Sequence, residues 1–70
     1  MKTFNAVVTK EDGIYIAKCI EVGTVSQGRS IEEALANLKE ATELYLEEFP
    51  LKEYFKPIFT TFEVAESAAA

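Results

Sequence analysis

Cys19 is the one side chain in this sequence with the makings of a nucleophile, and the chain holds no histidine to deprotonate it. A catalytic thiolate needs an adjacent base, so Cys19 is expected to be a small buried hydrophobe. One cysteine also rules out an internal disulfide, and one thiolate without histidine cannot assemble a familiar zinc or iron–sulfur site. No catalytic residue, cofactor or metal is therefore expected.

The other chemically suggestive pattern is carboxylate spacing: Glu33, Glu40, Glu43 and Glu47 recur at helical intervals, with Leu44 among them. Such an acidic strip could dock on a basic protein and imitate the phosphates that the protein would otherwise bind. It could equally be a solvated face that keeps a small protein in solution. Leu44 is open to the same two readings, an anchor for a partner or an ordinary exposed leucine.

Twelve acids, eleven of them Glu, outweigh seven Lys and Arg, for a formal charge of −5. The cations are scattered singly, so the clustered basic surface that phosphate recognition needs is missing and direct nucleic-acid binding is not expected. No apolar run approaches the roughly 20 residues of a bilayer span, and the N-terminus lacks the order of a signal peptide. Neither membrane insertion nor export is expected, which places the chain in the cytoplasm with Cys19 reduced.

The elements that must position these residues follow from periodicity. Between Lys2 and Lys10, Phe4, Ala6 and Val8 alternate with more polar neighbours, as in a half-buried strand. Glu11-Asp12-Gly13 supplies a hairpin turn into a second strand, Ile14 to Ile20. Its register is set by Lys18: burying an unpaired ammonium costs several kcal/mol, so Tyr15, Ala17 and Cys19 should lie under the helix. Val7, Ile14, Ile16 and Ile20 then occupy the opposite face, more exposed apolar surface than a monomer usually carries. This is the candidate dimer face.

A short third strand, about Thr24 to Gln27, leads through Gly28 into a helix from about Ile31 to Phe49. Ser30 and Glu33 form a capping box at its start, and Pro50 marks its end. Ile31, Ala34, Leu35, Leu38, Ala41, Thr42, Tyr45 and Phe49 form its apolar stripe, with Leu46 near the edge and the glutamates behind. A helical turn is expected over Leu51–Lys56. A last strand follows from Ile58 to about Ala65, where Ile58, Thr60, Phe62 and Val64 alternate with Phe59, Thr61 and Glu63. Residues 1–66 are thus expected to be one α+β domain of order βββαβ, an antiparallel sheet with one face covered by a single long helix, and 67–70 a disordered tail. Seventy residues bury too little surface to be comfortably stable alone. Association, most simply as a homodimer, is the expected support.

The run Tyr15-Ile16-Ala17-Lys18-Cys19-Ile20-Glu21-Val22, with Ser26-Gln27-Gly28-Arg29-Ser30-Ile31-Glu32-Glu33-Ala34-Leu35-Ala36-Asn37-Leu38-Lys39-Glu40-Ala41, resembles the HicB antitoxin family of type II toxin–antitoxin systems, over about residues 2 to 48. The resemblance implies a partial ribonuclease H-like fold, assembly as dimers or larger, and neutralisation of a small basic HicA-type ribonuclease by covering its active site. Many such relatives continue into a DNA-binding domain. This chain ends soon after its expected fourth strand, so autorepression by DNA contact is not expected of it. It also carries Ile20 and Gly23 where many relatives have prolines. The ribonuclease H likeness raises two-metal nuclease chemistry, but the strands bring only Glu21 and Glu63 toward such a site, with Asp12 in a turn. The function expected is a toxin-binding antitoxin. The alternative is an orphan HicB-like interaction or structural module without a toxin. A small-ligand sensor between subunits has no motif in its favour.

Overall fold

The computed structural model describes residues 2–51 and 56–67. The chain forms β1 (Ala6–Glu11), β2 (Ile14–Cys19), β3 (Val25–Gly28) and then α1 (Ile31–Glu48). Asp12 and Gly13, at φ +50° and +79°, make the two-residue turn between β1 and β2. Positive φ at both central positions matches the twist of the flanking strands, and a turn of this length fixes the pairing. Glu11 opposes Ile14 and Ala6 opposes Cys19. On this register Ala17 and Cys19 are buried, Tyr15 half-buried, and Lys18 exposed on the other face. The side chain that could least afford desolvation therefore settles which face meets the helix.

β3 pairs antiparallel with β2, from Tyr15 opposite Gly28 to Lys18 opposite Val25, giving the order β1-β2-β3. The link between them is closed by the Gly23 N–H to the Cys19 carbonyl at 2.9 Å and the Cys19 N–H to the Thr24 carbonyl at 2.8 Å. Gly28 sits where sheet and helix come closest. A Cβ there would lie 2.5 Å from the backbone N of Ala34, so only a glycine lets α1 start so near β3.

The helix begins as its sequence dictates. Ser30 is the N-cap, in extended conformation, and its hydroxyl accepts from the Glu33 N–H at 3.0 Å. The Glu33 carboxylate reaches back one residue further than in a simple capping box, accepting the Arg29 N–H at 2.6 Å. Glu32 and Glu33 face the positive end of the helix dipole. Phe49 ends the helix, donating its N–H to the Tyr45 carbonyl at 2.8 Å.

Ala34, Leu38 and Thr42, four residues apart, are buried, Ala34 and Leu38 in one cluster with Ala17 and Cys19. The Thr42 hydroxyl is satisfied by that of Thr24 at 2.7 Å. The expected apolar stripe is wider than what the sheet covers: Ile31, Leu35, Tyr45 and Phe49 are exposed. Ile31 and Phe49 share the azimuth of Leu38 and Thr42 but lie at the ends of an 18-residue helix, about 27 Å long, whereas the four-residue β3 runs only about 13 Å, so the stripe extends past the sheet; Leu35 lies to one side of it. The Tyr45 and Phe49 rings lean on each other instead, centroids 5.0 Å apart.

The expected fourth strand is not formed. Residues 56–67 have no regular secondary structure and, apart from the half-buried Pro57, are exposed. Alternating apolar residues become a strand only where an edge accepts them, and along the described part of this segment none does. The helical turn expected over Leu51–Lys56 falls on residues 52–55, and the tail on 68–70, outside the described residues.

Candidate protein-interaction surfaces

Glu33, Glu40, Glu43, Leu44 and Glu47 are all exposed on α1. At 100° per residue they span an arc of about 100° centred opposite Leu38. They are not equivalent. Glu33 is engaged in the helix cap, and Glu43 accepts from Lys39 Nζ at 2.7 Å, an exposed i,i+4 pair of small energetic weight. Glu40 and Glu47 lie one turn before and after Leu44, which is 59% exposed at one edge of this arc. An apolar side chain between carboxylates offers a desolvating contact with an electrostatic rim.

The second surface is the open side of the sheet. Val7, Ile14 and Ile20 are exposed and Ile16 half-buried. Val25, which the sequence reading passed over, joins them: it lies opposite Lys18, which lies opposite Val7, making one row across three strands. A four-residue strand with a single exposed valine gives little warning of this. The signal lay in the pairing.

A third feature was not foreseen at all. Between β1 and α1 runs a groove of about 380 Å³, with Phe4, Ala6, Leu35 and Leu46 along its apolar walls and Lys2 and Lys39 at its rim. Leu46, read as lying near the edge of the helix stripe, faces this space. The groove exists because α1 lies mainly over β2 and β3, so the helix side of β1 is only partly covered.

Glu21 is held by its neighbours. Its carboxylate accepts the Asn5 N–H at 2.8 Å and the Asn5 Nδ2 at 2.6 Å, with the Cys19 thiol 3.7 Å from Oε1. Desolvation pushes its pKa up, but the hydrogen bonds from the Asn5 backbone and side chain prevail and hold it below the usual carboxylate range. This clasp ties the start of β1 to the end of β2, aided by the Ile20 N–H to the Asn5 carbonyl at 2.8 Å. Asp12 and Glu21 stand at opposite ends of the six-residue β2, too far apart at about 3.3 Å per residue to share a metal ion, and Glu63 lies in the exposed segment. Among the described residues no three His, Cys, Asp or Glu side chains gather where they could hold a metal ion, and no helix is long and apolar enough to cross a membrane.

Comparison with known proteins gives one curated relative, a UPF0150 protein of Helicobacter pylori (strain J99 / ATCC 700824), 56% identical over 43 residues. The matched stretch covers 60% of this chain and spans 60% of that relative's length. No family model matches the chain. No solved structure matches it either.

Proposed function

We propose that this chain is a non-enzymatic protein-binding module of the HicB antitoxin type, working in the cytoplasm on a small basic HicA-type ribonuclease. The observation that carries the reading is the α1 ridge, where Glu40 and Glu47 flank the protruding Leu44. The net charge of −5 steers a basic partner toward it. Leu44 would seat in an apolar spot of the toxin while the carboxylates meet its cations, and the helix would cover the active site. Inhibition is then steric and electrostatic, with no reaction carried out by the antitoxin. The open sheet face of Val7, Ile14, Ile16 and Ile20 is assigned to association with a second copy, which accounts for so much apolar surface on so small a chain.

Co-expression with a candidate short basic ribonuclease, followed by sizing and titration calorimetry, tests the proposal. Glu40→Lys with Leu44→Arg should weaken the complex by at least about tenfold, 1.4 kcal/mol, and flatten its salt dependence. Unchanged affinity would dismiss the ridge as the binding surface. The alternative, an orphan HicB-like interaction or structural module without a toxin, draws on the engagement of Glu33 and Glu43 within the chain itself, which suits a solvated face. A neighbouring reading frame for a short basic protein supports the first reading, and its absence the second.

A further inference from the structure

We propose that the outer edge of β1, unpaired among the described residues, and the groove beside it receive residues 58–65 of a second copy of this chain, and that the exchange is reciprocal, so that each sheet gains its fourth strand in trans. The proposal stands apart from the antitoxin reading, since it needs no partner other than the chain itself.

Three observations converge on it. The first is the backbone of β1. The two-residue turn closes on the Glu11–Ile14 pair, and the Ile20 N–H reaches the Asn5 carbonyl. In an antiparallel ladder the bonded pairs alternate, so Val7, Thr9 and Glu11 direct their peptide groups to β2. Ala6, Val8 and Lys10 direct theirs outward, a row of donors and acceptors ready for another strand. The other edge of the sheet is less open, because Asn37 Nδ2 of the helix already donates to the outward carbonyl of Gln27 on β3 at 2.8 Å.

The second is the groove. A strand added beside β1 would continue the sheet under Leu35 and Leu46, which line an apolar groove with Ala6. Leu35 and Leu46 form the side of the helix that such a strand would cover.

The third is the donor. Ile58, Phe62 and Val64 lie on one side of an alternating segment and are 90%, 85% and 70% exposed. Single exposed apolar residues are ordinary, but a row of them on strand spacing is a strand without a sheet. Within one chain this segment stays off the sheet. The Cα radius of gyration is 15.0 Å, against about 11 Å for a compact chain of 70 residues. The single chain buries little: among the described residues its hydrophobic core is Ala17, Cys19, Ala34 and Leu38. A stable dimer needs about 1,600 Å² of buried surface in total. Two exchanged strands, each burying Phe62 at about 150–250 Å² with Ile58 and Val64, reach that order once the surface they cover on the groove and the β1 edge is added.

The experiment uses the full-length chain. Isotope-labelled and unlabelled protein are unfolded together and refolded, the mass is read by light scattering, and isotope-filtered NOE spectra are searched for contacts of the Phe62 ring with the Val8 and Leu35 methyls. An even multiple of the chain mass, reduced to twice that mass in the Ile16→Arg variant, with those contacts arising between labelled and unlabelled chains, is the expected result. The same contacts within one chain would show docking in cis and overturn the proposal. So would a dimer lacking them, a monomer with Phe62 in solvent, or a groove filled by some other protein. Phe62→Asp should weaken dimerisation at least 100-fold while far-UV circular dichroism still reports the helix. Ile16→Arg, on the opposite face of the sheet, should leave the Phe62–Val8 contacts in place, and their loss in that variant would count against the exchange.

Discussion

Replacing Gly28 by alanine adds one methyl group at the tightest contact between sheet and helix. The sign of its effect is decided by space rather than by backbone freedom. Gly28 is not among the positive-φ glycines, which are Gly13 and Gly23, so alanine can adopt its conformation. With open space around it, the substitution would stabilise by about 0.4–1 kcal/mol through the unfolded chain. Space is what it lacks. The new Cβ would sit 2.5 Å from Ala34 N and 2.9 Å from the Glu33 carbonyl carbon, and these are backbone atoms that cannot rotate away. The start of α1 must retreat, loosening Ala34 from Ala17 and pulling the Ser30 and Glu33 caps off register. Overpacking of this kind costs about 1–3 kcal/mol. The net loss should be about 1–2 kcal/mol, or roughly 5–15 °C in Tm for a chain of this size. Thermal unfolding followed at 222 nm reads it, with both proteins at one concentration because any self-association makes Tm concentration-dependent. A Gly28→Ala protein as stable as the parent would refute the claim that sheet and helix meet there without room for a methyl group.

Thr42→Val should destabilise by about 1–2 kcal/mol in urea titrations, because it leaves the half-buried Thr24 hydroxyl without its 2.7 Å partner; adding Thr24→Val should recover most of that loss, and a double variant no better than the single would refute it. Glu21 carries the pH prediction. Its folded pKa lies below the ordinary value of 4.5, so its contribution is fully present above that value and disappears as pH falls through the folded pKa. The stability gap between the parent and Glu21→Gln, measured by denaturant titration, should therefore be largest near neutrality and close in acid. A gap that does not change with pH would contradict the Asn5–Glu21 clasp.

Local chemistry made much of this fold legible. Lys18 settled the register of β2, because only one of its two faces could be buried without stranding a charge. Asp12-Gly13 named the turn, and Ser30 with Glu33 named the first residue of the helix. What escaped depends on residues far apart in sequence. Nothing in the neighbourhood of Asn5 announces Glu21 sixteen positions away, and because that carboxylate takes the Asn5 N–H, β1 begins at Ala6 rather than near Lys2. The meeting of Thr24 with Thr42 is of the same kind. The helix stripe was read correctly as apolar, but its ends run past the short sheet, a mismatch of lengths that periodicity does not reveal. The segment 58–65 was read correctly for its alternation, yet a periodic pattern cannot say where its partner edge lies. The acidic ridge was visible as a spacing. That two of its members are used for capping and pairing required coordinates.

In the order β1-β2-β3 followed by a helix laid on β2 and β3, most contacts of the sheet–helix body join elements adjacent along the chain, and the packing of α1 on β2 skips only β3. Such a topology requires little loop closure, so this body should condense quickly after synthesis or dilution from denaturant. Filling the edge of β1 with residues 58–65 of a second molecule waits instead on a bimolecular encounter. Between those two events the nascent molecule carries an unpaired strand edge and a bare hydrophobic ribbon, and its exposure to aggregation is governed by how soon it meets its own kind.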